Sequence, residues 1–578
     1  MHINPRSAIF FILIFVCSLV FPQKYRIEKI TYSLEKTREV DLRRVVPVDT
    51  DRIFENREEL DSYLLDLKQR LMNTRAFEKV EIRSNEPGIS KDDGTQGTAF
   101  TEASSIPVSQ GLPATQSLTF PGSPQASTFP TSASAEEFPA SSEAADTIVP
   151  ISLNISAIDT NSLLILPYPK YDSNDGLIFK VKVKDVNFLG TMNTMDIGVF
   201  AGLKEDVTTG NQNPTFGGEF KYKYPFYAGP FIGSWNNNFD LTYTRGVEEL
   251  EFWTGTGLTF ELPFKRFSFV LDISEQANRD LEYEPFYDTQ YYTSALTFSI
   301  PVKILEIDDW GGIFWTPFSN GTVSYDKDGI NNKNDDLASP VVSFGQTITT
   351  SRINWHGNFR SGISAKIGHS FGYDFQQEEK EPRIFAQVHL FRGFKYIGFN
   401  TRFTTFITKS NRDKIGDLIR GTRDKQKYVN TAGTELRTQR ALKTPCALVL
   451  NIDIPIHIIT THWLDWSNFI FGEKSWFSKS FAWTDKFNFE LQASPFIDIA
   501  LTKNEVTDRL FSTKDGWYTG GIELLVFPQN WKGIVMRCSF GLDLGRAVIS
   551  KKYPEKIDMS WRENIKKYEI FAGIGLHY

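Results

Sequence analysis

The sequence predicts a mainly β chain: a transmembrane antiparallel β-barrel preceded by one small α+β domain. Three observations predict it. From about residue 160 to the end, the chain is a succession of alternating segments with no intervening helical pattern, and period two with one apolar face marks a strand against a core or lipid. Aromatic residues reach 14%, with 48 Phe, 21 Tyr and 12 Trp, and these are strand formers and residues of membrane interfaces. Apolar residues make up only 40%, below the roughly 45–50% of a globular chain. Beyond the N-terminus no stretch reaches the roughly 18 apolar residues of a spanning helix, so membrane entry would require strands, since only helices and closed barrels satisfy the backbone in lipid.

Arg6 precedes an apolar run from Ala8 to Phe21, which suits a signal-peptide core and is short for a span. Residues 1–23 read as an export signal, with an uncleaved anchor as the alternative. Residues 25–33 alternate as a strand with one slip. Asn56, with Glu59 three residues on, reads as a helix cap, and Leu60, Leu64, Leu67 and Leu71 recur behind it at helical spacing. Phe77 to Arg83 alternates again. Between Lys91 and Lys170 there is no Lys or Arg, and residues 86–146 are dominated by Ser, Thr, Ala, Pro and Gly, with Phe-Pro pairs at 120–121, 129–130 and 138–139. Such a composition predicts disorder. Ile148 to Ile158 then alternates once more.

In the barrel region Leu177, Phe179, Val181 and Val183 share one face and Lys180, Lys182 and Lys184 the other. At the chain's end Tyr568, Ile570, Ala572, Ile574, Leu576 and Tyr578 share a face opposite Gly573, Gly575 and His577. Sixteen to eighteen candidate strands fit a large even-numbered barrel.

The chemistry classes narrow quickly. With 63 Lys and Arg against 70 Asp and Glu, the net charge of −7 offers no basic face for nucleic acid. Cys17, Cys446 and Cys538 are too few for a disulfide scaffold or a four-ligand zinc site. No HExxH, GxSxG or P-loop occurs, so neither an enzyme nor a cofactor or metal is expected. His457 and His462 lack metal-pair geometry, and the loop at 326–336 lacks the terminal Glu of a calcium site.

The interrupted string FEKVEIR and IVPISLNISAID resembles the end of a POTRA domain, which implies one POTRA-like domain over 24–159 with 86–146 as an insertion. A long insertion adds closure entropy only logarithmically. Residues 160–578 resemble the BamA/TamA (bacterial surface antigen) superfamily. The resemblance rests on YDSNDG at 171–176, DVNFLGT at 185–191, IRG at 419–421, ALVLNIDIPIHI at 447–458, SPFIDIA at 494–500, GGIELLVFP at 520–528 and the terminal Tyr578. It implies a barrel of about 16 strands, the family's usual number. It also implies a lumen loop carrying Ile419, Arg420 and Gly421, with Thr422 where the family has an aromatic residue. The strand motif holds Phe496, and the acidic partners of Arg420 are Asp498, chiefly, and Glu523. A buried guanidinium is costly unless paired and forms bidentate bonds to carboxylates.

Gly573, Gly575, Leu576 and Tyr578 mark a barrel seam and C-terminal signal, the glycines lowering pairing strength. The resemblance implies an outer-membrane barrel of a two-membrane bacterium with its N-terminal domain in the periplasm. It would assist insertion of outer-membrane proteins or polypeptide translocation by strand addition at the seam. Its partners would be outer-membrane lipids, unfolded barrel or secreted polypeptide clients, and periplasmic accessory proteins. The alternatives are a passive porin-like channel or surface antigen without insertase activity, and a secreted β-sandwich.

Overall fold

The computed structural model describes residues 23–85, 148–172, 176–205, 212–246, 250–279, 290–307, 311–326, 340–409, 413–422, 425–429, 435–440, 443–472, 475–476, 482–504, 507–532, 534–558 and 567–576. Residues 1–22 of the expected export signal 1–23, the disorder expected over 86–146 and the terminal Tyr578 lie outside the described residues. The chain divides into two compact units, one ending at Asp159 and the other running from Thr160.

The first unit is α+β. Its order is β1 (Lys24–Ser33), α1 (Glu39–Val45), β2 (Ile53–Phe54), α2 (Arg57–Asn73), β3 (Phe77–Asn85) and β4 (Ile148–Asp159). The sheet runs β2-β1-β4-β3, with β1 parallel to β4 and β3 antiparallel to it. The α2 start follows from its cap: Asn56 Oδ1 accepts from the Glu59 N–H at 2.8 Å, and the Glu59 carboxylate accepts from the Glu55 N–H at 2.8 Å. The first bond satisfies a donor that the helix N-terminus leaves open, and the second ties the residue before the cap to the first turn. Leu60, Leu64, Leu67 and Leu71 form the buried stripe, packed with Ile27, Phe54, Ile151 and Ile155 in the unit's core.

Asn56→Ala should lower the stability of this unit by about 1 kcal/mol, read from denaturant unfolding. Arg52 donates to Glu59 at 2.8 Å and holds its carboxyl below the usual carboxylate range. A depressed carboxyl stabilises the fold above its unfolded pKa and loses that contribution as pH falls through the folded value. The pair is solvent-exposed, so the acid loss should be small.

The second unit is a closed antiparallel barrel. Its staves are β5 (Leu163–Asp172), β6 (Gly176–Asp185), β7 (Met195–Glu205), β8 (Gln212–Ala228), β9 (Phe231–Thr244), β10 (Glu251–Pro263), β11 (Ser268–Arg279), β12 (Gln290–Ser299) continued by β13 (Val302–Ile307), β14 (Gly311–Tyr325), β15 (Val341–His356), β16 (Phe359–Asp374), β17 (Glu379–Gly393), β18 (Gly398–Thr408), β19 (Cys446–Asp453) continued by β20 (Ile456–Thr460), β21 (Phe489–Asn504), β22 (Trp517–Pro528), β23 (Met536–Asp543) and β24 (Tyr568–Ile574). Two staves are broken in the middle, at Pro301 and Pro455. Counted with those breaks healed, the staves number 18. The count of about 16 taken from the family is therefore corrected to 18, the upper end of what alternation alone allowed.

The wall carries its apolar residues outward: Leu177, Phe179, Phe239, Ile273, Phe298, Phe344, Ile367, Ile384 and Ile522 are all exposed. Its charges sit on the opposite face. Lys180 pairs with Glu219 at 2.5 Å and Lys182 with Asp196 at 3.2 Å. An even number of staves puts the entry at Leu163 and the exit at Ile574 at the same end. Connections there include tight turns such as 229–230 and 357–358, but 461–488 is a long excursion. It bears α3 (Trp463–Phe471), and Phe469, Trp476 and Trp483 are exposed there. Aromatic residues at a barrel end are the usual girdle of a membrane interface.

Candidate functional site

In the long connection from β18 to β19, the described stretch 413–422 folds back against the inner face of the wall. Ile415, Leu418 and Ile419 are buried against Phe385, Phe406, Ala447, Val449, Ala500 and Trp517. The turn over Gly416–Leu418 is pinned by its own backbone: the Leu418 carbonyl accepts from Arg402 Nη2 and from Asn451 Nδ2, each at 2.8 Å. Apolar packing and two buried bonds thus bring the next two residues, Arg420 and Gly421, to a fixed place.

That place is a row of residues opposite one another across the wall. The register sets Asp453 opposite Phe496, Phe496 opposite Gly521, Gly521 opposite Gly541 and Gly541 opposite Glu569. Asp498 lies two residues along β21 on the same face, and Glu523 two residues along β22, because strand side chains repeat every second residue. The row is acidic at both ends and lacks side chains in its middle, which makes a groove.

Arg420 and Gly421 fill it. Arg420 Nε and Nη2 donate to the two oxygens of Asp498 at 3.0 and 2.8 Å, a bidentate fork, and the Arg420 backbone N–H donates to Asp498 Oδ2 at 2.8 Å. Nη1 donates to Asp453 Oδ1 at 2.7 Å and lies 3.9 Å from Glu523 Oε2. The guanidinium stacks on the Phe496 ring, 3.8 Å from its centroid. The Arg420 side chain is 5% exposed and that of Asp498 0%.

Gly421 has φ +79°, and a Cβ built on it would lie 2.9 Å from the Leu542 nitrogen; one built on Gly541 would lie 2.6 Å from the Gly421 Cα. Only glycine suits both its dihedral and this approach. The Gly421 N–H donates to Glu569 Oε2 at 2.6 Å, and Thr422 is buried beside it.

The structure brings together Ile419, Arg420, Gly421, Phe496, Asp498 and Glu523. Glu523 is the outlying acid; its other oxygen is 3.4 Å from Arg537, whose guanidinium lies over Phe571. Sequence reasoning missed Asp453, Glu569 and Gly541. Asp453 had a signal: it and Asn451 are the alternate polar positions in the otherwise apolar run of 447–456.

At the seam, β24 meets β5 through two residue pairs, Phe571 with Asp172 and Ala572 with Tyr171. By contrast β5 pairs with β6 over its whole length from Leu163 to Asp172, and β24 with β23 from Tyr568 to Ile574. Gly573 sits opposite Arg537, inside the β23 ladder. Gly575 has φ +110°, and its N–H donates to the Val535 carbonyl at 2.8 Å. Leu576 is corrected by this geometry. It is buried with Trp355, Leu525, Phe527 and Val535, because the positive φ at Gly575 breaks the alternation that would have set it in an outward row with Tyr568.

No family model matches the chain, and no curated protein matches it. Among solved structures it is similar to CdiB from Acinetobacter baumannii, with 10% identity, 96% of this chain and 74% of that one covered, and a TM-score of 0.44. It is similar to BamA from Haemophilus ducreyi lacking POTRA domains 1–3, with 12% identity, 95% and 84% covered, and a TM-score of 0.35. It is also similar to CdiB from Escherichia coli, with 10% identity, 96% and 92% covered, and a TM-score of 0.35.

Proposed function

We propose that the chain is an outer-membrane β-barrel of the insertase or translocase type. Its first unit is a POTRA-like domain in the periplasm, and its clients are unfolded barrel or secreted polypeptides. The observation that carries this reading is the seam. Every backbone group facing lipid must find a partner inside the protein, and among the described residues the ladder between β24 and β5 holds two residue pairs. At a net value of about 1 kcal/mol per hydrogen bond, such a junction is the weakest in the wall, and a strand added there gains bonds that the barrel does not make for itself. The outward apolar faces supply the membrane part of the reading, since surfaces of that extent are not left to water.

In this reading Arg420 and its acids hold the long loop on the wall beside the seam, and Glu569, on the seam strand itself, binds the loop tip. Depletion followed by a quantitative outer-membrane proteome tests the function: loss of other barrels supports it, and an unchanged proteome with measurable conductance would make the chain a passive channel. Tyr578 is proposed as a signal read during the barrel's own assembly. Tyr578→Asp should reduce the heat-modifiable barrel recovered from membranes, and full recovery would remove that role.

A further inference from the structure

In an antiparallel pair, one residue turns its N–H and C=O to one neighbouring strand and the next turns them to the other. The Val186 N–H donates to the Ser162 carbonyl at 3.0 Å, in line with the register that sets Leu163 opposite Asp185. Even-numbered residues of β5 therefore bond to β6. The odd-numbered Leu163, Ile165, Pro167, Pro169 and Tyr171 turn their backbone groups to the seam. On the other side the Gly575 N–H donates to Val535 and the Asp543 N–H to Lys567, in line with Met536 opposite Ile574. Odd-numbered residues of β24 are thus committed to β23, and Tyr568, Ile570, Ala572 and Ile574 turn to the seam.

The two sets meet where Tyr171 faces Ala572. Continued one rung, the same register would set Pro169 opposite Ile574, and the rung after that Pro167 opposite Leu576. Proline has no N–H, so each of those rungs would lose one of its two bonds. Among the described residues the ladder ends immediately before both of them. The last strand instead turns at Gly575 and buries Leu576. The spacing is telling, because prolines at even positions would have broken the β5–β6 ladder. Two at odd positions blunt the seam edge alone, a placement that edge strands use against unwanted pairing.

We propose that Pro167 and Pro169 hold the seam open. They deny the closing ladder its next two rungs and leave β5 an edge that receives an extended polypeptide strand. That edge offers the carbonyls of Leu163, Ile165, Pro167 and Pro169 but only the N–H groups of Leu163 and Ile165. An added strand is therefore gripped less tightly than a native neighbour and can leave. The strand-receiving half of this proposal rests on the function proposed above; the proline half does not.

The test uses the full chain in lipid nanodiscs, with amide hydrogen exchange followed over 163–172 and 568–576. Pro167→Ala with Pro169→Ala restores both donors and should slow exchange in both segments at least tenfold. Pro169→Ala alone should slow chiefly the rung at Ile574. Tyr171→Pro, which removes the last seam donor, should speed exchange at Ala572, so the proposal does not depend on one variant folding. Unchanged exchange in the proline variants would overturn the proline assignment whatever happens to activity.

A photo-reactive peptide of residues 568–578 serves as the strand probe. It should label β5 in the natural chain and label the double variant at least tenfold less. Equal labelling of the two would overturn the receiving edge. Slowed exchange in a variant that still sustains outer-membrane assembly in cells would leave the proline assignment standing and remove the strand-addition function instead.

Discussion

Arg420→Ala is expected to release the long loop from the barrel wall and to abolish most activity. Removing the guanidinium leaves Asp453, Asp498 and Glu523 facing one another, and Asp453 and Asp498 are both almost wholly buried. Breaking a buried pair by deleting one partner costs about 3–5 kcal/mol, because the remaining charge loses its compensation. Asp498→Ala should cost less than Arg420→Ala, since Arg420 keeps Asp453 at 2.7 Å. The double variant should be little worse than Arg420→Ala, because residues in one network are not additive. Arg420→Lys should rescue only in part, as an ammonium cannot make the fork to Asp498.

A second route reaches the same state without touching a charge. Gly541→Val puts side-chain atoms where the Gly421 backbone lies and should undock the loop tip by overpacking, at about 1–3 kcal/mol. Protease sensitivity of the loop and heat-modifiable mobility of the barrel read all of these variants. Strictly additive losses for Arg420→Ala and Asp498→Ala would refute the coupling.

Locking the seam is expected to have an effect as large. Tyr171 and Ala572 face each other as a directly bonded pair, a Cα separation of about 5.5 Å that suits a disulfide. Tyr171→Cys with Ala572→Cys should crosslink β5 to β24 and stop activity almost completely, with recovery on adding reductant. The natural Cys538 sits opposite Ala572 on the other side and would compete for the new thiol. Cys538→Ser is therefore the proper background. Full activity of the oxidised, crosslinked barrel would exclude strand addition at this junction.

The amino-acid sequence by itself determined the elements. Leu60, Leu64, Leu67 and Leu71 specify α2 and its buried face, Asn56 its start, and alternation such as Leu177 and Phe179 against Lys180 and Lys182 the staves and their two faces. These are local properties, set by side-chain periodicity and by caps a few residues away. Arg420, Phe496, Asp498 and Glu523 were reached only through the order of motifs.

Register across strands was decided by tertiary structure alone. Asp453 is one of many inward polar residues until the pairing sets it opposite Phe496, and Glu569 enters only because three further rungs place Gly521 and Gly541 between them. The eighteen staves, against the family's sixteen, follow from closure, which no segment carries alone. Pro167 and Pro169 read simply as strand prolines along the chain. A shift of one residue would have turned their missing donors into β6 and broken the wall, and the pairing with β6 turns them to the seam. Side-chain periodicity is written in consecutive residues, whereas the direction of a backbone bond depends on which residue of a distant strand lies opposite, and only the folded chain settles that.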